Sequence, residues 1–486
     1  MARSIKVNFV FNVLNTVMGL LFPLITFPYA SRVLLAEGIG QVNYFTSIIS
    51  FVILITGLGI PIYGIREIAR VRDDIKILTQ TTVEILSLNL FLNVIGYLAI
   101  AIMCLTVDKI SGNISLFLIL SLMIVLTTIG CGWFYSGIED FKAITIRSFL
   151  VRSLSLIILF GFVRTKEDLL FYGVFYLLAS VGSNVINFAM LRKHLNFSLI
   201  KIHDLNLLKH IKPALAVFIF SVVSSIYLNL DKVMLGAIKD TTSVGYYTAA
   251  SQLSHILLTL VISLGTVLLP RSSNLIKNNQ MEEFYKLSEK SYRFILMTAI
   301  PIVAGCIIMS PSLIRMFCGP SYMPSIQTLC IIAPIILIIG MSQAIGMQIL
   351  YPLGKIELVT YSTCAGAIVN LLLNFFLIPL YSQDGAAISS VAAECSVTLT
   401  LVILAKRFIP FKLFSSYFFV YIVAALIMMA LCSFVTRLCG ESDIKQLLAV
   451  PLVGAGIYSL LLLLIKDSMF LEFISTARNS LRKIIR

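Results

Sequence analysis

Three ionisable side chains lie inside long apolar runs of this 486-residue chain: Asp231, Lys232 and Glu394. A charge in the hydrocarbon region of a membrane is costly and usually faces a protein interior or a water-filled cavity. Asp231 and Lys232 are adjacent, and adjacent helical side chains point about 100° apart, so they cannot satisfy each other. We expect one of them to face the interior while the other reaches the membrane surface or a different partner.

Oxygen-bearing side chains on three apolar runs fall in one band of depth below the outer surface. At about 1.5 Å of rise per helical residue, the depths are roughly 10 Å for Asp231, 7 Å for Asn374, 13 Å for Asn370, 9 Å for Ser390 and 15 Å for Glu394. Such oxygens suit a small cation such as Na⁺, or a proton. The pattern predicts an ion-coupling site, with Na⁺ held by Asp231, Asn374 and Glu394. The alternative is that Asp231 pairs with a basic neighbour and the asparagines join helices.

Basic residues near the ends of apolar runs form a second candidate set for binding substrate. Lys232 and Arg32 occupy corresponding places in an internal repeat described below, where two cations could hold phosphates. Snorkelling to the outer headgroups is the alternative. A further group lies at cytoplasmic ends and could receive a pyrophosphate, because arginine contacts phosphate with two N–H groups. Any membrane protein with positive inner loops would show similar residues. The group consists of Arg66, Arg147, Arg152 and Arg271.

The composition is that of a membrane protein. The chain is 59% hydrophobic and 12% charged, with a mean hydropathy of +0.98, whereas soluble domains carry about 25% charged residues. Apolar runs of at least about 18 residues, each long enough to cross the hydrocarbon as a helix, recur from end to end. The net charge of +14 indicates loops held against an anionic inner leaflet, and no nucleic-acid partner is expected.

No motif predicts catalysis or a bound cofactor. The nine cysteines are scattered without a C-x-x-C pair, which argues against a disulfide framework or a metal site. Gly354-Lys355 is followed by Ile356 and lacks the earlier glycine of a phosphate-binding loop, so ATP hydrolysis is not expected. The chain is predicted not to be an enzyme and to need no cofactor beyond a coupling ion, Na⁺ or H⁺.

The predicted fold is all-α and polytopic. Lys and Arg concentrate at the termini and in the even-numbered loops, which places both termini in the cytoplasm. Fourteen transmembrane spans are predicted near residues 8–30, 41–64, 82–105, 114–136, 144–163, 169–190, 213–238, 244–269, 293–314, 326–350, 358–379, 385–405, 413–435 and 446–465.

The two halves of the chain are related by a repeat of six spans. Arg32-Val33-Leu34-Leu35 corresponds to Lys232-Val233-Met234-Leu235, and Val42-Asn43-Tyr44-Phe45-Thr46 to Val244-Gly245-Tyr246-Tyr247-Thr248. An even number of spans keeps the orientation, so the repeats are parallel. We therefore predict an N-terminal six-helix lobe (1–190), a basic cytoplasmic linker (191–212), a C-terminal six-helix lobe (213–406), and two additional helices with a basic cytoplasmic tail (407–486).

Several stretches resemble the bacterial polysaccharide transporters of the Wzx (O-antigen flippase) type. The resemblance covers nearly the whole chain. It rests on Pro23-Leu24-Ile25-Thr26-Phe27-Pro28-Tyr29 with Ser31-Arg32-Val33-Leu34 and Glu37-Gly38-Ile39-Gly40, Gly64-Ile65-Arg66-Glu67-Ile68-Ala69-Arg70, Trp133-Phe134-Tyr135-Ser136-Gly137-Ile138-Glu139, Asp231-Lys232-Val233-Met234-Leu235-Gly236, and Gly385-Ala386-Ala387-Ile388-Ser389 through Glu394.

The resemblance implies two six-helix lobes that form a V around a central cavity, as in the multidrug and oligosaccharide-lipid exporters. It also implies an undecaprenyl-pyrophosphate-linked oligosaccharide as the substrate, moved from the cytoplasmic to the outer leaflet. In the peptidoglycan-precursor branch, a sodium ion can lie among spans 7, 11 and 12, and two additional spans form a groove for the lipid tail. Glu394 is a candidate from depth alone and is not carried over from that branch.

We therefore expect a flippase that works by alternating access, with ion coupling, for O-antigen, capsule or exopolysaccharide synthesis in the bacterial inner membrane. A polysaccharide polymerase and a chain-length regulator are further expected partners. One alternative is a drug or toxin cation antiporter of the same fold. A membrane polysaccharide polymerase is a less favoured alternative, because such an enzyme usually has a long outer loop and every outer loop here is short.

Overall fold

The computed structural model describes residues 5–409, 411–440 and 442–475, which are almost wholly helical and contain no strand. Their α-helices are α1 (Ile5–Gly57), α2 (Ile60–Val71), α3 (Ile75–Thr106), α4 (Asp108–Ser111), α5 (Ile114–Ile129), α6 (Gly132–Gly137), α7 (Phe141–Phe162), α8 (Leu169–Leu177), α9 (Ser183–Leu191), α10 (Ile211–Ile238), α11 (Thr241–Lys277), α12 (Met281–Phe317), α13 (Ser325–Ile332), α14 (Ile335–Ile345), α15 (Ile356–Ala405), α16 (Ser416–Leu438) and α17 (Asp443–Leu464).

The all-α, polytopic membrane class predicted from sequence is confirmed. Within the described residues, ten helical segments are long and apolar enough to cross a membrane. Two of them, in α1 and α15, each hold two predicted spans, because Leu35 (φ 58°) and Ser382 (φ 53°) interrupt the helical backbone. Positive φ is rare for residues with a side chain, so these two sites are tight reversals rather than gentle bends. Predicted spans 7 and 8 correspond to α10 and α11.

Residues 1–245 form the first of two compact units. α1 is its central element and packs against α3, α5, α7 and α10. Aromatic residues of α2 and α6 form a buried cluster that contains Tyr63, Trp133, Phe134 and Tyr135. A Cβ atom on Gly64 would lie 2.9 Å from the Trp133 ring. The glycine of one motif therefore makes room for the tryptophan of another.

Residues 246–486 form the second unit. α12 is central here and packs against α13, α14, α16 and α17. The two arms of α15 pack closely on each other, since a Cβ on Gly366 would lie 2.3 Å from Val397 and one on Gly385 2.2 Å from the Leu377 carbonyl oxygen. The additional helices α16 and α17 share a hydrophobic core with α12.

The boundary between the compact units lies at Gly245, beyond α10. The predicted lobe boundary at residue 213 comes from the internal repeat and not from packing, so the proposed division into lobes stays a prediction. The linker 191–212 runs from the last residue of α9 to the first residues of α10, with short 3₁₀ turns between them at Phe197–Leu199, Ile202–Asp204 and Leu208–His210. The last residues of the predicted basic tail, 476–486, lie outside the described residues.

Candidate functional site

The acid–base pair of α10 lies in the first unit. The Asp231 side chain is buried. Lys232 is partly buried, and its Nζ lies 3.4 Å from Oδ1 of Asn43 on α1. At the corresponding repeat position, Arg32 is exposed and donates from Nη1 to the Pro28 carbonyl at 3.3 Å. The two repeat-related cations thus differ in setting: Lys232 is tied to a neighbouring helix, while Arg32 contacts its own.

The remaining candidates for ion coupling lie in the second unit, on the two arms of α15. All four side chains are buried. On the first arm, Nδ2 of Asn374 donates to Oδ1 of Asn370 at 3.1 Å. On the second arm, the Ser390 hydroxyl lies 3.0 Å from the Tyr247 hydroxyl, and Glu394 follows one turn later. These buried side chains offer oxygen atoms, the ligand type that a small hard cation prefers.

The Na⁺ set chosen from sequence takes one ligand from the first unit, Asp231, and two from the second, Asn374 and Glu394. It stays a prediction. Among the described residues there is no group of three or more His, Cys, Asp or Glu side chains that could hold a metal ion.

Arg147 of α7 is held by two side chains of the first unit, those of Asn187 and Tyr135. Its Nη1 donates to Oδ1 of Asn187 at 2.8 Å, and its guanidinium lies over the Tyr135 ring at 4.9 Å. The Tyr135 hydroxyl in turn donates to the Asn187 carbonyl. The guanidinium is thus oriented by packing and hydrogen bonding, as a rigid phosphate ligand would need to be.

Arg152 lies deeper than the cytoplasmic end predicted from sequence. It is about 16 Å along α7 from Phe141, near the middle of the helix. Its Nε donates at 3.3 Å to the carbonyl of Ala179, which belongs to the π-helical turn Leu178–Gly182 between α8 and α9. Such turns shift the helical hydrogen bonds by one residue and often occur at functional sites. A half-buried cation therefore lies within the first unit.

The other two predicted phosphate ligands are exposed. Arg66 is 53% exposed and pairs with Glu67 at 3.3 Å. Arg271 lies on α11 in the second unit. In the first unit, Arg147 and Arg152 share one helix, while Arg66 sits on α2 with its own local partner. The described contacts therefore join none of these arginines directly to another.

A buried polar network around Glu84 was missed in the sequence. Glu84 of α3 is 0% exposed. Its carboxylate accepts hydrogen bonds from residues near the start of α3 and near the end of the linker. The donors are Nζ of Lys209 at 2.6 Å, Nε2 of His210 at 2.9 Å, the backbone N–H of Asn206 at 2.9 Å and Nε2 of Gln80 at 3.0 Å. Glu84 lies just inside predicted span 3, and a carboxylate inside an apolar span indicates a buried site with partners. The sequence therefore contained a signal for this network.

Tyr63 completes this network. Its hydroxyl lies 2.7 Å from Nδ1 of His210, whose Nε2 faces Glu84. A neutral imidazole with its proton on Nε2 satisfies both partners, because it then donates to the carboxylate and accepts from the phenol. The network joins α2, α3 and the linker immediately before α10.

An apolar chamber of about 600 Å³ lies within the second unit, between α12, α16 and α17. Small residues in the lining leave this space unfilled, and large apolar side chains form its walls. Its lining includes Met297, Pro301, Gly305, Met428, Val450, Gly454, Ala455 and Tyr458. A volume of this size is typical of a ligand cavity.

Ion pairs hold the chamber at both ends. At one end, Arg293 of α12 contacts Asp467 and Tyr421. At the other end, Arg315 of α12 contacts both carboxylate oxygens of Asp443 at the start of α17, with the shortest N–O distance 2.6 Å. Two-point arginine–carboxylate contacts fix geometry as well as charge. The walls of the chamber are therefore held together at both ends.

Comparison with known proteins matches residues 5–276, more than half of the chain, to the family described as polysaccharide biosynthesis protein. The chain is 24% identical over 409 residues to a protein of Escherichia coli (strain K12) named "Putative O-antigen transporter", covering 83% of this chain and 97% of that protein. It is 23% identical over 262 residues to the "Probable low-salt glycan biosynthesis flippase Agl15" of Haloferax volcanii, covering 52% of this chain and 55% of that protein.

Among solved structures, the fold is similar to the lipid II flippase MurJ in an inward closed conformation. The TM-score is 0.71 at 18% identity, covering 95% of this chain and all of that one. The inward-facing conformation of a multidrug resistance MATE family transporter of the MOP superfamily gives a TM-score of 0.64 at 14% identity, over 83% of this chain and 98% of that one. The chain thus belongs to the polysaccharide biosynthesis protein family and has the fold of these multi-pass membrane transporters.

Proposed function

We propose that the chain is a flippase that moves undecaprenyl-pyrophosphate-linked oligosaccharide repeat units from the cytoplasmic to the outer leaflet of the bacterial inner membrane. Both termini would then lie in the cytoplasm. The proposal rests on the family and on the relative named as an O-antigen transporter, with which the chain shares nearly the full length of that protein. A polysaccharide polymerase and a chain-length regulator would act on the product.

The apolar chamber is the observation that favours a lipid-linked substrate over a drug cation. A polyprenyl tail gains about 0.8 kcal/mol for each CH₂ group it buries, and the chamber walls are almost entirely apolar. A cationic drug would instead favour an acidic side chain in the wall, and the lining residues that the structure describes include no Asp or Glu. In this proposal the chamber receives the near end of the tail while the rest stays in lipid.

The two arginines of α7 are the proposed ligands of the pyrophosphate. Arg147 is oriented by Asn187 and Tyr135. Among the described residues, Arg152 makes one hydrogen bond, from Nε, which leaves its terminal amino groups for a ligand. Arg66 and Arg271 are exposed and suit initial capture of the anion. Arg32 and Lys232 would hold it near the outer side.

Transport would follow alternating access, in which rocking of one lobe exposes the sugar on the outer side. In our proposal an ion bound at Asp231, Asn370, Asn374, Ser390 and Glu394 biases this motion, which requires tighter binding in one state than in the other. Na⁺ and H⁺ are the candidates. Asp231→Asn should reduce transport and alter its dependence on sodium or pH. Normal transport with unchanged ion dependence would exclude Asp231 from coupling.

The first test is the sidedness of the lipid-linked oligosaccharide in a strain that lacks this chain. A complete repeat unit trapped at the cytoplasmic face supports the flippase. Repeat units at the outer face that are not polymerised would instead indicate a polymerase. An unchanged distribution would favour an antiporter of the same fold.

The chamber can be tested in the same assay with a matched pair of variants on α17. Ala455 lines the chamber, whereas Gly456 does not line it, and a Cβ atom on Gly456 would meet nothing within 4 Å. Ala455→Leu should cut outward movement of the substrate severalfold, because the new side chain occupies the space for the tail. Gly456→Leu is the control and should behave as the native chain does. Equal activity of the two variants would remove the chamber from the substrate path.

A further inference from the structure

The first unit holds α10 at both of its ends. Before its first turn, Asn206, Lys209 and His210 bind Glu84 of α3. At its other end, Nζ of Lys109, on the short helix α4, donates to three carbonyls. These belong to Gly236 at 2.8 Å, Ala237 at 3.0 Å and Lys239 at 2.7 Å.

Lys109 is chemically matched to the end of a helix. The last carbonyls of an α-helix lack partners within the helix and carry partial negative charge. An ammonium group has three N–H donors and here has three such acceptors. Lys109 is exposed, however, so water can replace either side of this contact. Glu84, in contrast, is wholly buried and has four donors. The outer contact is therefore the one that can be released.

The backbones beside Lys109 touch without intervening side chains. A Cβ on Gly40 would lie 1.7 Å from the Thr241 carbonyl oxygen, and one on Gly245 would lie 1.9 Å from the Ala36 carbonyl oxygen. The spacing of four residues is the same on α1 and α11. Reciprocal small residues at this spacing allow two membrane helices to cross in close contact. Such a crossing is tight and brings the two backbones into direct contact.

We propose that Lys109 and the Gly40–Gly245 crossing form a releasable latch on the outer side. In this structure the latch is closed. Release of the Lys109 amine frees the outer end of α10, which turns about its anchorage at Glu84, and the crossing between α1 and α11 parts. This inference rests on the proposed transport by alternating access, and it assigns the step of outward opening to a lysine on α4.

A buried reporter on α1 can test the latch in intact cells. Asn43 is buried on α1, and its Oδ1 faces Nζ of Lys232 on α10 at 3.4 Å, so Asn43→Cys places a thiol against the helix that is proposed to move. The label is a maleimide that cannot cross membranes, added from outside. Labelling of the chain without the reporter gives the background from its nine native cysteines. The rate of labelling then measures how often the outer side opens.

Lys109→Met should raise the labelling rate on the order of tenfold, the equilibrium shift expected for losing one charge-assisted contact. Lys109→Arg, which keeps the charge and the donors, should stay near the native rate. Gly40→Ala should also raise labelling, because its Cβ would overlap a carbonyl. The control is Gly19→Ala on the same helix, where nothing lies within 4 Å.

The amount of each variant in the membrane is measured alongside the labelling. If Gly40→Ala does not accumulate, the Lys109 series decides alone, because the Lys109 side chain is exposed and two of its three carbonyls belong to residues that are not buried. Labelling of Lys109→Met at the rate of Gly19→Ala would overturn the latch. Labelling needs no substrate, so a failure of the flippase proposal in the sidedness assay leaves this result independent.

Discussion

α10 in the first unit and α17 in the second are both fastened at two ends, but by different chemistry. α17 and the segment after it are joined to α12 by guanidinium–carboxylate pairs at both ends, Arg315 with Asp443 and Arg293 with Asp467. α10 has a buried carboxylate network at one end. Near the other end, the exposed ammonium group of Lys109 contacts its last carbonyls, beside the long contact of Lys232 with Asn43 and the packing of Gly236 on Tyr44.

The difference indicates which helix can move. Two paired ends keep the chamber between α12 and α17 at a fixed width, as a binding wall should be. One strong end and one weak end turn α10 into a hinged element. A transporter needs both kinds of attachment. Helices that stay together bind the substrate, and helices that separate release it.

The largest effect is expected from removing the anchor of α10. Glu84→Ala leaves the buried His210, the Asn206 N–H and Gln80 without their shared acceptor, and each buried donor left unpaired costs about 1–3 kcal/mol. We expect a strong loss of protein from the membrane and a clearly lower melting temperature in detergent. Glu139→Ala is the control, since Glu139 is exposed and its pair with Arg72 should contribute at most about 1 kcal/mol. Similar losses in the two variants would contradict the anchoring role.

An intermediate effect is expected at the start of α17. Arg315→Leu should lower the melting temperature by a few degrees, because Asp443 loses a two-point partner worth about 1–3 kcal/mol. The double change Arg315→Asp with Asp443→Arg should recover part of that loss if the contact is a direct ion pair. A double variant no more stable than either single variant would show that the pair does not hold α17.

The smallest effect on stability is expected at Lys109. Its substitution by Met should lower the melting temperature less than the two changes above, because the amine is exposed and the carbonyls of Ala237 and Lys239 can bind water instead. The same change should have a large effect on labelling of the outer side. If Lys109→Met lowers the melting temperature as far as Glu84→Ala does, the two ends of α10 are held equally firmly. That result would contradict the description of α10 as a hinged helix.

The sequence predicted the class, the helices and the family because these depend on local signals. All fourteen predicted spans correspond to helices, and the resemblance predicted from the motifs agrees with the family that residues 5–276 match. The reversals at Leu35 and Ser382 were predicted only as short loops, because neither leucine nor serine is a residue type that predicts a positive φ. The pairing of Gly64 with Trp133 likewise depends on which helices meet.

The candidate sites were less predictable because their partners are distant in sequence. The burial of Asp231, Asn370, Asn374, Ser390 and Glu394 agrees with their expected place inside the protein. Their role in ion binding stays a prediction. Arg152 was placed at a helix end because spacing alone does not reveal the π-helical turn that it contacts. Glu84 was overlooked at the edge of a span, although four donors satisfy its carboxylate.

The anchorage of α10 also has a consequence for how the chain is made. Glu84 precedes His210 by 126 residues, and Lys109 precedes Lys239 by 130. During synthesis, the carboxylate and the amine therefore enter the membrane long before their partners exist. The first six spans are an incomplete assembly until the seventh has been inserted. The N-terminal half of this protein is thus finished by a helix that the repeat assigns to the C-terminal half.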